Sequence, residues 1–498
     1  MKLVSTRDIN SKTVSPAEAI AYGLAKDGGL FAPSVFPNFT LEDISGLTEK
    51  SYNELAAFAA KPFLSGFTYE ELELFTALAY KGFPCNAAPV VSLDDKTHIL
   101  ELFHGPTLAF KDFALSLLPY LLTASFKKLG ISKNAVILAA TSGDTGSAAL
   151  EGFAGVQGTK ICVFYPHGGV SNIQKLQMTS KTGENLKVIG ITGNFDDAQS
   201  GVKAIFGDSA AAALLEESGY ILSSANSINW GRIVPQIAYY FSAYASLVSA
   251  EKLAPGSPVN IVVPTGNFGN ILAAYYAKKC GLPIHKLICA SNSNNVLSDF
   301  INTGIYDKNR DFHTTVSPSM DILISSNLER FLFDLHDCDG GAVKSLMSSL
   351  SKAGRYEISS SIHKKVQEHC YAGYADDMAT LSAIKEIWQK HGYLSDTHTA
   401  VGIKVHKEYI EKTGDNSTPA IIVSTASPFK FTDSVLKALG VQCTQDDFEN
   451  LKKLSQISGI EIPKPLAALA DNEEHHKIIC EPNEMKIQLF DWLQNAKI

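Results

Sequence analysis

The sequence lacks the features that would place it in a membrane, in the secretory pathway or on nucleic acid. No apolar run reaches the roughly 20 residues that a membrane-spanning helix needs, and the opening MKLVSTRDINSKTV lacks the apolar core of a secretory signal. Lysine and arginine number 43 against 51 acidic residues, a formal net charge of -8. That balance argues against a general nucleic-acid binder, which needs a basic face, but it leaves room for a small local anion site. We therefore expect a cytoplasmic protein whose partners are neither membranes nor nucleic acids.

Cysteine is also scarce: the chain has eight, widely spaced and without a C-x-x-C pair. Such spacing in a long chain is typical of free thiols in a reducing compartment rather than of a disulfide framework. Two groups of histidine and cysteine come closest to a metal-binding set: His363, His369 and Cys370, and His475, His476 and Cys480. They lack the fixed spacings of known ligand sets. We interpret them as surface side chains and expect no metal.

What the chain does have is length and an alternating pattern. Its 498 residues can bury large cores, in roughly two to four domains. Residues 1–93 are mixed and mostly helical, with Ser15 and Pro16 as the cap and first turn of one helix. Later, runs rich in β-branched residues alternate with helical segments: residues 97–103, 134–141, 160–166, 186–192, 259–266 and 419–426. This alternation predicts an α/β fold with parallel sheets covered by helices on both faces.

Three of these strand ends are polar, and the first two are rich in glycine. They comprise Thr141, Ser142, Gly143, Asp144, Thr145 and Gly146; Thr265, Gly266, Asn267, Phe268, Gly269 and Asn270; and Ser424, Thr425 and Ser427. In the first two, glycines let backbone N–H groups converge at the start of a helix, which favours anion binding. Neither is a P-loop or a G-x-G-x-x-G motif. Each taken alone is equally typical of a tight strand-to-helix turn.

Lys111 lies between Phe110 and Phe113 at the start of an apolar helix that we expect to end at Gly130, with a kink at Pro119. A lysine in such surroundings either extends its amine to water or is kept neutral for chemistry. A reactive lysine together with a phosphate-binding turn is what pyridoxal 5'-phosphate requires. A hydroxyl such as that of Thr425 would then face the pyridine nitrogen and would suit eliminations and replacements.

A fourth polar stretch, SSANSINWGRIVPQIAYY, precedes an apolar helix and contains Asn226, Ser227, Asn229 and Arg232. The guanidinium of Arg232 is suited to bidentate binding of an anionic substrate group. A helix cap followed by a solvated arginine explains the same residues. The spacing alone leaves both interpretations open.

The motifs HGPTLAFKDFA, TSGDTGSAA, NSINW, PTGNFGN, SPSMDI and STASPFKF follow one another in this order. With the early YGLAKDGGLFAP, this set resembles that of the threonine synthases over nearly the whole chain. The resemblance implies a fold type II enzyme, with two parallel-sheet α/β domains, pyridoxal phosphate in the cleft between them and a mostly helical N-terminal domain. The implied domains are 1–93 (N-terminal), 94–130 with 226–435 (large, cofactor-binding), 131–225 (small) and 436–498 (C-terminal, helical).

The resemblance also implies roles for individual residues. Lys111 would be the catalytic lysine, linked covalently to the cofactor, and Thr425 would meet the pyridine nitrogen. The cofactor phosphate would be bound by Gly266, Asn267, Phe268, Gly269 and Asn270. Substrate would be bound by Thr107, Ser142, Gly143, Thr145, Asn226 and Arg232, with His104 belonging to the lysine motif.

Asp144 departs from many relatives, which carry asparagine at this position in contact with the cofactor's 3'-oxygen. An aspartate would have to be protonated or bridged to make the same contact. We therefore expect Asp144 near the cofactor.

The activity that the resemblance implies is the conversion of O-phospho-L-homoserine and water to L-threonine and phosphate, by γ-elimination and β-addition of water. Such an enzyme is a carbon–oxygen lyase acting on phosphates. Two alternatives stay open: a fold-mate that releases a 2-oxo acid, and a non-catalytic relative that binds the cofactor or small ligands. The sequence fits a monomer and a homodimer equally.

Overall fold

The first 80 residues form helices around a small antiparallel sheet. The computed structural model describes residues 1–141 and 143–495. The elements of this region are β1 Leu3–Ser5, β2 Thr13–Val14, α1 Pro16–Tyr22, β3 Phe31–Pro33, α2 Leu41–Ser45, α3 Tyr52–Ala60 and α4 Tyr69–Ala79. Ser15 caps α1, and its hydroxyl and backbone exchange hydrogen bonds with Glu18. The predicted cap, the proline in the first turn and the helical character of this region are confirmed.

The middle of the chain is built of alternating strands and helices. The first set is β4 Val90–Ser92, β5 Thr97–Glu101, α5 Lys111–Lys128, β6 Asn134–Ala140, α6 Asp144–Phe153, β7 Thr159–Pro166, α7 Asn172–Thr179, β8 Leu186–Ile191, α8 Phe195–Gly207, α9 Ser209–Glu217 and β9 Tyr220–Ser224. The second set is α10 Trp230–Ser249, β10 Val259–Pro264, α11 Gly269–Lys279, β11 Ile284–Ser291, α12 Val296–Thr303, β12 Ile305–Asp307, α13 Leu328–Leu335, α14 Gly340–Ala353, β13 Arg355–Glu357, α15 Ser360–His369, β14 Cys370–Tyr374, α16 Asp377–His391, α17 Thr397–Thr413, β15 Ala420–Ser424 and α18 Thr432–Ala438. All six predicted strand runs are strands.

The end of the chain adds α19 Asp447–Ser458, α20 Lys464–Ala467, β16 Ile479–Cys480 and α21 Met485–Asn495. Short 3-10 helices cover Gly46–Glu49, Lys61–Phe63, Pro318–Met320, Pro428–Phe431, Ala468–Asp471 and Pro482–Glu484.

Two parallel sheets organise the described part of the chain. One has the strand order β14-β11-β10-β15-β5-β4, and only β4 runs antiparallel to its neighbour. The other has the order β16-β8-β7-β6-β9 and is parallel throughout. The predicted α/β class is therefore confirmed. Ligands of such sheets bind beyond the carboxyl ends of the strands, where the polar strand ends lie.

The C-terminal segment is not helical throughout, because β16 pairs with β8 at the edge of the five-stranded sheet. A run of two residues is too short for a sequence pattern to reveal, and its pairing partner is far away along the chain. The division into domains stays a prediction.

The N-terminal region is joined by hydrogen bonds to the residues at the start of α10 and in α13. The side-chain amide of Asn229, which caps α10, donates to the carbonyl of Ile20 at 3.0 Å. From α13, Nε of Arg330 donates to the carbonyl of Phe31 at 2.8 Å. These contacts fix the start of the helix that carries Arg232.

Membrane-spanning helices, metal ligands and cysteines were each the subject of an expectation from composition. In the described residues, no helix has both the length and the apolarity that crossing a membrane demands. No group of three or more His, Cys, Asp or Glu side chains in these ranges is arranged to hold a metal ion. His363 and His369 are half-buried rather than on the surface. All eight cysteines are free, and five of them are buried.

Candidate active site

Lys111 opens α5 directly after a turn that is held against the end of β15. Leu108 in this turn has a left-handed backbone, with φ +61°. The amide of Phe110 donates to the carbonyl of Thr425 at 2.9 Å, and the amide of Ser427 donates to the carbonyl of Leu108 at 3.0 Å. These bonds fix the position from which the Lys111 side chain leaves the backbone.

The same turn is closed by Asp112. Its carboxylate accepts hydrogen bonds from the amide of Thr107, at 2.8 Å, and from the Thr107 hydroxyl. A side chain at Gly105 would place its Cβ 2.5 Å from Asp112, so only glycine fits. Burial raises the pKa of Asp112 to about 6, against the effect of the Thr107 hydrogen bonds. Since its hydroxyl is occupied, Thr107 shapes the lysine turn, and its contact with substrate stays a prediction.

The Lys111 amine points into the protein rather than out to water. Its side chain is 14% exposed, and Nζ lies 3.4 Å from the hydroxyl of Ser319 and 3.7 Å from Oδ2 of Asp144. Burial lowers the pKa of Lys111, Asp144 opposes this, and Lys430 and Arg232 add to the lowering. The structure therefore favours the chemical interpretation of this lysine over the solvent-extended one.

The first strand end, after β6, brings Asp144 to this amine. Gly143 has φ +132°, and a Cβ there would lie 2.4 Å from the Gln174 side chain, so the turn requires glycine. The Thr141 hydroxyl accepts the amide of Gly143 at 2.9 Å. Thr145 is half-buried, and Ser142 lies outside the described residues. The substrate contacts predicted for this loop stay predictions.

The second strand end, after β10, fits tightly under the segment that carries Ser319. A Cβ on Gly266 would lie 3.0 Å from the Ser319 carbonyl and 3.3 Å from Cα of Met320. The Ser325 hydroxyl donates to the Gly266 carbonyl at 2.8 Å. The amide of Asn327 donates to the Asn267 carbonyl at 3.1 Å. This loop is therefore rigid and adjoins the residue that contacts Lys111.

The loop ends at the start of α11 in a form suited to a phosphate group. Phe268 has a left-handed backbone with φ +58°, and no side chain caps the first turn of the helix, which begins at Gly269. The hydroxyl of Tyr239 donates to Oδ1 of Asn270 at 2.9 Å, and Tyr240 also donates to it. Nδ2 of Asn270 is buried without a hydrogen-bond partner in the described residues. Unpaired amide donors at a helix N-terminus are what an anion binds.

The third strand end, after β15, supplies Thr425. This residue is 6% exposed, and its backbone carbonyl is bonded to Phe110. Its hydroxyl bonds to no residue that the structure describes, so it remains available for a ligand in the cleft. This agrees with the role predicted from the sequence, which stays a prediction.

Arg232, in the first turn of α10, is not solvated. It is 3% exposed, its Nη1 donates to the carbonyl of Ala225, and Nε has no partner among the described residues. Burial lowers the pKa of Arg232 to about 10. Asn229 is the cap of this helix, and Asn226 is half-buried. A buried guanidinium without a carboxylate partner in this part of the chain is a binding group for an anion.

His104, also from the lysine motif, lies further out. Its Nε2 is 2.7 Å from Oε2 of Glu101, and its side chain is 34% exposed. The structure gives it an ion-pair partner on β5 and no contact with Lys111.

Lys430, which the sequence motifs did not single out, has a fully buried side chain whose Nζ lies 2.8 Å from Oδ1 of Asp144. Its flanks, Phe429 and Phe431, repeat the pattern that drew attention to Lys111. The pattern of a lysine flanked by phenylalanines therefore indicates Lys430 as well as Lys111.

A second missed group is the pair of Asp396 and His398 at the start of α17. Nδ1 of His398 lies 2.9 Å from Oδ1 of Asp396, and Nε2 accepts the amide of Ser319 at 3.1 Å. The imidazole therefore holds Ser319, which contacts Lys111. No spacing rule links residues 319 and 398, so only the tertiary structure brings them together.

Three comparisons with known proteins show which family the chain resembles. Family models match as pyridoxal-phosphate dependent enzyme over residues 84–425, threonine synthase N terminus over residues 2–80 and threonine synthase C-terminal over residues 399–488. Threonine synthase of Pseudomonas aeruginosa is 39% identical over 98% of each chain. A crystal structure of PLP-bound threonine synthase from Brucella melitensis has a TM-score of 0.88 and 39% identity, covering 100% of both chains.

The human protein threonine synthase-like 1 is 42% identical over 86% of this chain. This chain spans 58% of the length of that relative.

Proposed function

The chain belongs to the threonine synthase family of pyridoxal-phosphate-dependent enzymes, and we propose that it forms L-threonine and phosphate from O-phospho-L-homoserine and water. The observation that carries this proposal is the placement of Lys111. Its largely buried amine, with a lowered pKa, meets Ser319 at 3.4 Å. The backbone of Ser319 in turn lies against Gly266 of the loop that can hold a phosphate.

The residues present fit pyridoxal phosphate. Lys111 would carry the covalent link, and the uncapped start of α11 with the unpartnered amide of Asn270 would bind the phosphate. Thr425 would offer its hydroxyl to the ring nitrogen. When bound, the cofactor supplies an electron sink for the charge that develops next to the substrate amino group. Burial raises the pKa of Asp144, but the charges of Lys430 and Lys111 outweigh it and lower the pKa, so its contact with the cofactor's 3'-oxygen would require a bridging donor.

In this proposal Lys111 moves the protons. Burial lowers its pKa, which favours the neutral amine that can act as a base once it is free. From one position it would take the proton from the substrate Cα and later return it. Ser319 and Asp144 keep Nζ at that position through contacts at 3.4 and 3.7 Å.

Arg232 would bind an anionic group of the substrate. O-phospho-L-homoserine carries a phosphate and a carboxylate, and the buried Nε of Arg232 has no partner in the described residues. Asn226 would assist from the turn before α10. Basic side chains gather here, since Lys430 and Arg232 both lie near Lys111, so an anionic ligand is favoured despite the net charge of -8.

The two parallel sheets support assignment to fold type II, with the cleft between them as the site. The cytoplasmic location and the choice between monomer and homodimer stay predictions from the sequence.

The test is a product balance. The purified protein, supplied with pyridoxal phosphate, is incubated with O-phospho-L-homoserine, and phosphate, threonine and 2-oxobutyrate are measured together. Equal phosphate and threonine would support the proposal. Phosphate with 2-oxobutyrate and little threonine would move the chain to the lyases that release 2-oxo acids, and no phosphate at all would favour a binding protein.

Lys111→Ala should abolish turnover, because no other amine replaces the base and the covalent link. Lys128→Ala is the matched control. This lysine lies at the far end of the same helix and pairs with Glu71 at 2.8 Å, so its loss should leave turnover unchanged. Full activity of the Lys111 variant would contradict the proposed mechanism.

A further inference from the structure

Most partners of Asp144 come from outside the segment 134–224, which forms most of the five-stranded sheet. It begins α6 and is 4% exposed. Its Oδ1 lies 2.8 Å from Nζ of Lys430 and accepts the Gln174 amide at 3.1 Å. Its Oδ2 accepts the Ser319 hydroxyl at 3.1 Å and lies 3.7 Å from Nζ of Lys111. Only Gln174 comes from the same sheet layer as α6.

These partners keep the carboxylate ionised. Burial alone would favour the protonated acid, but the charges of Lys430 and Lys111 outweigh it and hold the pKa of Asp144 well below its ordinary value. The N-terminus of α6, where Asp144 lies, also stabilises the ionised carboxylate and so lowers its pKa.

Two partners fix the side chain of Lys430 in this cluster. Its side chain is fully buried, and besides Asp144 it donates to the Thr107 carbonyl at 2.8 Å. It therefore ties the loop after β6 to the turn that positions Lys111. Separating a buried ion pair by removing one partner is costly, because the other charge stays buried.

Four further charged or titratable groups face this cluster. Arg232 adds positive charge near Lys111. His398 acts on Asp144, and its own ring is fixed by Asp396. Asp112 lies near Lys430, and its carboxylate accepts a hydrogen bond from the Thr107 hydroxyl. Asp144 is therefore the carboxylate nearest to the Lys111 amine.

We propose that Lys430 is a positioning residue for the reacting lysine: its ion pair with Asp144 fixes this carboxylate, which together with Ser319 orients Nζ of Lys111, and its charge offsets the effect of Asp144 on the protonation of Lys111. This inference rests on the proposed function, because it concerns the amine that would carry the cofactor. It adds a residue that acts through Asp144 rather than on the substrate.

The two members of the pair act on Lys111 with opposite sign, which makes the proposal testable. Lys430→Met removes a repelling cation and leaves Asp144 with Lys111 as its nearest positive charge, so the Lys111 nitrogen should keep its proton to higher pH. Asp144→Asn removes the attracting charge and leaves Lys430 in place, so the proton should be lost at lower pH. The double variant restores neutrality and should return close to the wild type.

The experiment is a pH titration of the visible absorption of the holoenzyme, which reports the protonation of the nitrogen linking the cofactor to Lys111. We expect the midpoint to rise by about one unit or more in Lys430→Met and to fall by about as much in Asp144→Asn. In the cofactor-free protein, the pH dependence of Lys111 acylation, followed by mass spectrometry, should show the same two shifts.

Arg7→Met is the matched control. It breaks another largely buried ion pair, with Glu329 at 2.7 Å, outside the cleft. It should lower the thermal midpoint and leave both titrations unchanged.

Shifts of the same sign, or no shift in either single variant, would overturn the proposal. A double variant that is worse than both single variants would also do so. If no absorption band depends on Lys111, the proposed function fails instead, and the acylation of the cofactor-free protein still decides whether the ion pair acts on Lys111.

Discussion

At the scale of single residues, two buried arginines differ in their hydrogen bonds, and this difference separates a structural group from a binding group. Arg330 donates to three oxygens, those of Phe31, Asn327 and Ile228. Arg232 is equally inaccessible, yet its Nε has no partner in the described residues. A buried donor without an acceptor costs stability. Such a cost is expected where a ligand completes the site.

Arg232→Met should therefore impair binding more than folding. We expect kcat/KM for the phosphorylated substrate to fall about 100-fold, mainly through KM, since a charge-assisted contact is lost. The free energy of unfolding of the ligand-free protein should stay unchanged or rise by about 1 kcal/mol. Steady-state kinetics and denaturant titration measure the two effects.

Arg330→Met is the comparison. It should lower the free energy of unfolding by about 3 kcal/mol, because three oxygens lose their donor. An Arg232 variant that is destabilised equally and still binds substrate normally would contradict the assignment of Arg232.

At the scale of elements, the site depends on the contact between α5 and α6. Pro119 in α5 has no amide to donate to the carbonyl of Leu115. Gly152 of α6 packs over this carbonyl, and a Cβ on Gly152 would lie 2.1 Å from its oxygen. The two helices that begin with Lys111 and Asp144 can therefore approach closely, which brings their N-terminal side chains together across the cleft.

Gly152→Ala should force α5 and α6 apart. The clash is with backbone, so we expect a loss of about 3 kcal/mol in the free energy of unfolding and weaker cofactor binding, as measured by thermal shift and by titration with pyridoxal phosphate. Gly207→Ala is the control: it lies at the end of α8 with no atom within 4 Å of the added Cβ. A Gly152 variant as stable as this control would contradict the close packing.

At the scale of the whole molecule, the end of the chain completes a sheet formed by residues 134–224. β16 extends this sheet beside β8, and α21 covers α8 with Met485, Leu489 and Leu493. The five-stranded sheet therefore depends on residues that follow it by more than 250 positions in sequence. The C-terminal segment is part of the fold that holds Asp144.

Leu489→Ala should show this dependence. Leu489 is fully buried, and a large-to-small substitution in a core costs about 2 to 5 kcal/mol. Ile487→Ala, on the same helix and 56% exposed, should cost less than about 0.5 kcal/mol. Thermal unfolding of the two variants makes the comparison. Equal midpoints would mean that α21 does not stabilise the sheet.

The sequence by itself determined the α/β class, the six principal strand runs and the place of a lysine among apolar residues at the start of a helix. These features are local: β-branched runs, glycine turns and a lysine among phenylalanines are visible within a dozen residues. Motif order was enough to indicate the family. The capped helix after Ser15 followed from the same kind of short-range rule.

Only the tertiary structure decided the surroundings of Asp144, the burial of Arg232 and the contacts of Lys430 and His398. Each depends on contacts between residues far apart in sequence: Lys430 meets Asp144 across the cleft, and His398 reaches Lys111 through Ser319. The strand β16 depends on its pairing with β8 in the same way. Burial and electrostatic balance are properties of the folded neighbourhood, so local pattern cannot specify them.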